Sequence, residues 1–235
     1  MKHINTKKGY AITLPLLLLA GLGLSGCNHD QNSESSYQIN VTNLTNNQPL
    51  SPLAVIVHKR DFRAWHIGMP ASAGIERLAE GGDSSVLLQM EAGSTPDTNT
   101  AMGNGLILPG TTDSVTINSN IGGEVELTVA SMLVNTNDGF TGASAVDIAS
   151  MPFNEPLTLL LHTLDAGTEA NDELAANLPG PAGGGEGFNM NRNDRNFITL
   201  HPGVISTADG LETSALDGSH RFDNPVARLT ITRIH

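Results

Sequence analysis

Two things are scarce in this chain: cysteine, with one residue in 235, and aromatics, at 4%. A single thiol cannot pair within the chain, so a disulfide framework is excluded, and so is a zinc site built on several thiolates. Basic residues are also few, 12 Lys+Arg against 24 Asp+Glu, for a net charge of −12. Nucleic acid is therefore not an expected partner, because phosphate binding needs a basic face. Enzyme fingerprints are missing as well: there is no G-x-S-x-G elbow, P-loop or H-E-x-x-H, and beyond residue 26 no dinucleotide-binding glycine pattern. The seven histidines beyond residue 26 are expected to pack or hydrogen-bond near strand ends, with His162 in a core-like strand.

What is present begins with a leader. Lys2, Lys7 and Lys8 precede an apolar run from Ala11 to Leu24, which ends in Leu24-Ser25-Gly26-Cys27. The run is short and glycine-rich for a membrane span. Basic end, apolar run, small residues and cysteine in that order resemble a bacterial lipobox cleaved before Cys27. The resemblance implies residues 1–26 as a signal peptide and Cys27 as the lipidated residue. Residues 27–36 would be a polar tether and residues 37–235 the folded domain. Two or more acyl chains anchor stably where one does not. Loss of a leader with three Lys and no acid takes the net charge from −12 to −15. Asn28 is not the aspartate associated with inner-membrane retention in enteric bacteria, so the expected location is the envelope, with the outer membrane preferred.

Beyond the tether, short runs alternate with period two, the strand signature. Tyr37, Ile39 and Val41 alternate with Gln38, Asn40 and Thr42. Val115 and Ile117, then Val125, Leu127 and Val129, and finally Leu229 and Ile231 do the same. Leu53–His58, Leu157–Leu164 and Phe197–His201 are further candidates. Helix is expected over 71–80, with Ser72 as a cap and Gly81-Gly82 as a stop, and in a second short stretch after Asp83. The segment 171–196 reads as a long Gly/Asn/Pro-rich loop, with Arg192 and Arg195 solvating it. These features predict an all-β fold: an antiparallel β-sandwich with one or two short helices in an early connection.

Four strings in order resemble the spondin N-terminal domain, the module of F-spondin, mindin and many bacterial lipoproteins. They are Leu50-Ser51-Pro52 with His58 after it, the stretch 71–81 (ASAGIERLAEG), the stretch 137–142 (NDGFTG) and the stretch 165–169 (DAGTE). The resemblance runs from about Tyr37 to Ile234. It implies a β-sandwich that binds one calcium ion, with Asp138 and Asp165 as ligands and Asn118 in the place of a third, acidic one. The residues themselves fit: the turns around Asn135–Thr141 and Asp165–Glu173 are dense in side-chain oxygens. Two carboxylates at ~4 Å repel by roughly 4 kcal/mol at an effective dielectric of about 20. A hard cation with 6–8 oxygen ligands removes that repulsion. Asp and Asn also populate turns simply by bonding their own backbone.

The expected function is a lipid-anchored, calcium-binding adhesion or binding module, without catalysis, that meets an unknown protein or glycan ligand. The alternatives are a structural envelope lipoprotein without metal, or a secreted hydrolase. The latter requires a histidine and an acid within hydrogen-bond reach in a pocket.

Overall fold

The structure, a computed structural model, describes residues 1–3, 34–94 and 98–235. The chain divides into two units, Met1–Asp30 and Gln31–His235. The lipobox, Cys27 and most of the tether lie outside the described residues. Among the described residues, the second unit holds every strand and all the hydrophobic clusters, so it is described by itself.

The alternating runs become strands with one wet face. In β1 (Ser35–Asn43), Tyr37, Ile39 and Val41 are buried while Gln38, Asn40 and Thr42 are half-buried on the other side. β1 starts at Ser35, so the folded part begins two residues earlier than the sequence suggests. β4 (Thr112–Ser119), β7 (Pro156–Leu161) and β10 (Ala227–Arg233) join β1 in an antiparallel sheet of order β4-β1-β10-β7.

The second sheet is covered on both faces. It contains β2 (Ala54–Lys59), β3 (Asn99–Met102), β5 (Val125–Met132), β6 (Gly139–Asp147), β8 (Thr163–Asp165) and β9 (Thr199–Leu200), in the order β3-β2-β5-β6-β8-β9. Ile39, Leu127, Val129, Leu229 and their neighbours form the core between the sheets. Helices α1 (Ala73–Gly81) and α2 (Ser85–Ser94) bury Ile75, Leu78, Ala79 and Leu87 against Ile56, Phe140 and Leu164 on the other side. This second cover is why all eight residues of β5 are buried, Glu126 and Thr128 included, despite their polar alternation.

α1 follows its sequence signals. The Ser72 side chain accepts from the Ile75 N–H at 3.3 Å, and Gly82 adopts the left-handed cap that a glycine takes without strain. Asp83 accepts from Ser85 N at the start of α2.

The Leu157–Leu164 run is not one strand. β7 lies in the first sheet and β8 in the second, and the chain changes sheets at His162. His162 is therefore exposed rather than core. The only interruption at the crossing is the polar pair His162-Thr163, and Thr163 is itself buried, so the run reads as one strand. Phe197–His201 shortens to the two residues of β9.

Candidate metal centre

β5 and β8 are both antiparallel to β6 and so run the same way. The turn after β5 and the turn after β8 consequently emerge at one end of the sandwich. Gly139 pairs with Asp165, and the Ala166 N–H donates to the Asp138 carbonyl at 3.2 Å. Asp138 and Asp165 are thus side by side, each with 0% of its surface exposed.

Each position of the two strings has a physical role. Asp138 Oδ2 accepts from the N–H groups of Thr168 at 2.8 Å and Glu169 at 3.1 Å. Phe140 is fully buried and meets Trp65 edge to face, with ring centroids 5.3 Å apart. A Cβ at Gly142 would run into the Val129 carbonyl. In the second string, Asp165 accepts from Gly167 N at 2.8 Å and from Asn171 Nδ2 at 2.7 Å. Gly167 needs its positive φ of 69° and lies against the Phe197 backbone.

Two further acids join them. Glu169 is 4% exposed and Glu80, on the last turn of α1, is 1% exposed. Glu80 Oε2 accepts from Asn189 N at 2.9 Å, and the Thr168 hydroxyl donates to Asp138 Oδ2 at 3.3 Å. Four buried oxygens among these residues have no hydrogen-bond partner: Glu80 Oε1, Asp138 Oδ1, Glu169 Oε2 and Asn171 Oδ1. Unpaired buried acceptors are costly, and several in one place need an explanation.

The electrostatics agree. Burial, then the Asp165 charge, pushes the Asp138 carboxyl from its ordinary 3.8 to about 7, against the pull of the Glu169 and Thr168 N–H groups. Burial, followed by Glu80 and Asp138, raises Glu169 to about 8. Burial also raises Glu80. His201, buried beside Asp165, is lowered to about 4, mainly by desolvation. Its Nδ1 accepts from Gly203 N at 3.0 Å, so the neutral ring carries its proton on Nε2. The cluster therefore concentrates buried carboxyls whose charged forms are disfavoured, and among the described residues no Lys or Arg is ion-paired with Glu80, Asp138, Asp165 or Glu169.

Arg192 is close by but is already engaged. It grips Glu76 with two bonds of 2.7 Å and the Ala71 carbonyl with one of 3.0 Å. This corrects the expectation that Arg192 merely solvates the loop: it fastens the 171–196 excursion to α1. Arg195 pairs with Asp194 at 3.1 Å.

Asn118 is a second correction. It lies on β4 in the other sheet, bonded to Ser36 Oγ, and its carbonyl accepts from Asn99 Nδ2. Asn99 is level with Val57, which is level with Leu127 and then Val146. Asp138 is eight residues back along β6 from Val146, roughly 26 Å at 3.3 Å per residue. Asn118 is therefore near the opposite end of the sandwich and cannot complete this cluster. Glu80 and Glu169 stand where a third acid was sought. Glu169 was legible as part of an oxygen-rich turn, and the signal for Glu80 was a pair of acids, Glu76 and Glu80, at i and i+4 among the apolar residues of α1.

Among the described residues, no three His, Cys, Asp or Glu side chains lie close enough to hold a metal ion by themselves. An ion here would also need hydroxyl, amide or water oxygens, which Thr168 and Asn171 offer and which calcium accepts.

The histidine–acid pair that a hydrolase would require does occur, at His220 and Asp217, 3.0 Å apart. However, the other ring nitrogen of His220 is 3.1 Å from Asn47 Nδ2, and the Ser219 hydroxyl bonds Asp217 instead of the ring. The group caps a 3₁₀ turn (Gly218–His220).

The family model Spondin_N matches residues 33–176, more than half of the chain, and spans both strings and the acids Glu80, Asp138, Asp165 and Glu169. The chain belongs to the spondin N-terminal domain family. That family is non-enzymatic and consists of binding and adhesion-type modules. No curated protein matches the chain. In this spondin domain the match stops at 176, while β9 and β10 lie beyond it and complete both sheets.

Proposed function

We propose that this spondin domain is a non-catalytic binding module, held to the bacterial envelope through lipidated Cys27, whose loop tip is organised by one calcium ion. The observation that carries the reading is the set of buried, unpartnered oxygens on Glu80, Asp138, Glu169 and Asn171. Asp138 and Asp165, with the oxygens of Thr168 and Asn171 and with water, would hold the ion, which would supply the positive charge that burial and mutual repulsion call for, with Glu80 and Glu169 close by. The ion would thereby fix α1, the turn after β5 and the start of the 166–198 excursion to one another. That tip would present the surface for a protein or glycan ligand. Beside it lies a cleft of about 390 Å³ lined by Pro52, Leu106, Met132, Val134, Pro179 and Pro181.

The test is a thermal melt of the unit Gln31–His235 with calcium and with chelator. Calcium is expected to raise the melting temperature, and Asp138→Ala combined with Asp165→Ala to abolish the rise. An unchanged melt at saturating calcium would leave a structural envelope lipoprotein as the reading.

A further inference from the structure

β8 and β9 carry an apolar face and a polar one. Leu164 pairs with Leu200 and Asp165 with Thr199 across the ladder, and the His201 N–H donates to the Thr163 carbonyl at 3.1 Å. Side chains alternate along a strand, so Leu164 joins Ile56 and Phe140 on one face while Thr163, Asp165, Thr199 and His201 share the other. Three polar atoms of that second face are buried without a hydrogen-bond partner: Thr163 Oγ1, Thr199 Oγ1 and His201 Nε2. Such groups are rare in a folded interior and call for an explanation.

His201 is the most constrained of the three. It is 5% exposed, and its ring is tilted against Phe222 with centroids 5.4 Å apart. The Gly203 N–H occupies Nδ1, which leaves Nε2 as a donor. The Nε2–Cδ2 edge lies over Gly139, where an added Cβ would stand 3.1 Å from His201 Cδ2. Gly139 is the residue opposite Asp165 on the other side of β8. His201 and Asp165 are also diagonal neighbours across β8 and β9, about 7–8 Å apart at the backbone, which an aromatic side chain spans. The Asp165 charge accordingly acts on the ring. Gly139 leaves the space through which the ring approaches the acid.

We propose that His201 is a positioning residue of the ion centre: its Nε2–H serves the Asp165 carboxylate and sets the direction in which that carboxylate presents its oxygens. The inference rests on the calcium reading of the tip. A carboxylate has about four lone-pair sites. In Asp165 the Gly167 N–H and the Asn171 amide take one on each oxygen, leaving room for a ring donor and a cation. Donors of this kind orient the ligands of a metal, and their loss typically costs about 10–100-fold in affinity. His201 lies beyond residue 176, where the family match stops, in the segment that closes the second sheet.

Calorimetric titration of the unit Gln31–His235 with calcium chloride, after stripping with chelator, reads the affinity. His201→Asn keeps an acceptor for the Gly203 N–H but lacks the second nitrogen, and it should weaken calcium by about tenfold or more. His201→Phe, which keeps a ring against Phe222 and loses both nitrogens, should do the same. His201→Gln carries an amide N–H out to the place of Nε2 and should bind close to the wild type. A residue that only fills space would move the melting temperature in chelator and leave the affinity alone. Wild-type affinity in the first two variants, or a third as weak as they are, would overturn the proposal and leave the calcium reading standing. A wild-type protein that takes up no calcium would overturn both.

Discussion

Asp138→Asn separates a cation site from an ordinary acidic turn, because it should move stability in opposite directions with and without calcium. In the ion-free protein, the Asp138 carboxyl sits at about 7 against an ordinary 3.8. A raised folded value means stability that is complete below the ordinary value and lost as pH climbs through the folded one. At 1.36 kcal/mol per pH unit, the loss approaches about 4 kcal/mol by pH 8, as an upper bound. Asparagine keeps an oxygen for the Thr168 and Glu169 N–H groups and places an amide, instead of a charge, where Oδ1 has no partner. In chelator at pH 8 the variant should therefore melt several degrees above the wild type, and near pH 4 the difference should vanish. Extracellular modules hold calcium at about 10⁻⁴–10⁻³ M. Calcium at about 10 mM then contributes about 1.4 to 2.7 kcal/mol to the wild type. For a domain of this size that is about 3 to 10 °C, which Asp138→Asn should lose. Scanning calorimetry of both proteins in calcium and in chelator decides it. A variant that melts below the wild type in chelator and still gains from calcium refutes the reasoning.

Ion-free stability should fall as pH rises from about 4 to 8, since burial raises Asp138 and Glu173 to about 7 and Glu169 to about 8. Calcium should flatten most of that slope in urea titrations; Glu173, which accepts from Ile205 N at 3.1 Å, should account for a remainder that Glu173→Gln removes. Arg192→Ala strands the buried Glu76 carboxylate, a loss of up to about 3–5 kcal/mol for a buried pair, reduced because the Arg192 side chain is 26% exposed. Limited proteolysis should then cut within 171–196 much faster than in the wild type, and equal cutting rates would contradict the fastening role.

The sequence was most legible where one side of an element faces water. β1, β4 and β10 alternate because the first sheet has a solvated face, and α1 announces itself through Ser72 and Gly82. β6 was not legible, because Gly139, Gly142, Ala143 and Ala145 carry little strand preference and its place is imposed by β5 and β8. For the site, the two strings marked Asp138 and Asp165, whose adjacency follows from strand direction alone. Asn118 was placed by the family resemblance, and a match of strings along the chain does not say which sheet a strand joins. Glu80 and Arg192 were hidden for a related reason: their partners are about a hundred residues away in the chain, Asn189 for the first and Glu76 for the second.

β1 lies between β4 and β10, and Ser36 N donates to the carbonyl of His235. An early segment thus waits on a late one. During synthesis Ser35–Asn43 has half of its hydrogen-bonding complement unmet until Ala227–Arg233 has been delivered. Assembly is correspondingly concerted and slow, because long-range ladders form only after a large loop has closed. A fragment ending at residue 176 would keep every acid of the tip and still lack the strand that shuts the first sheet.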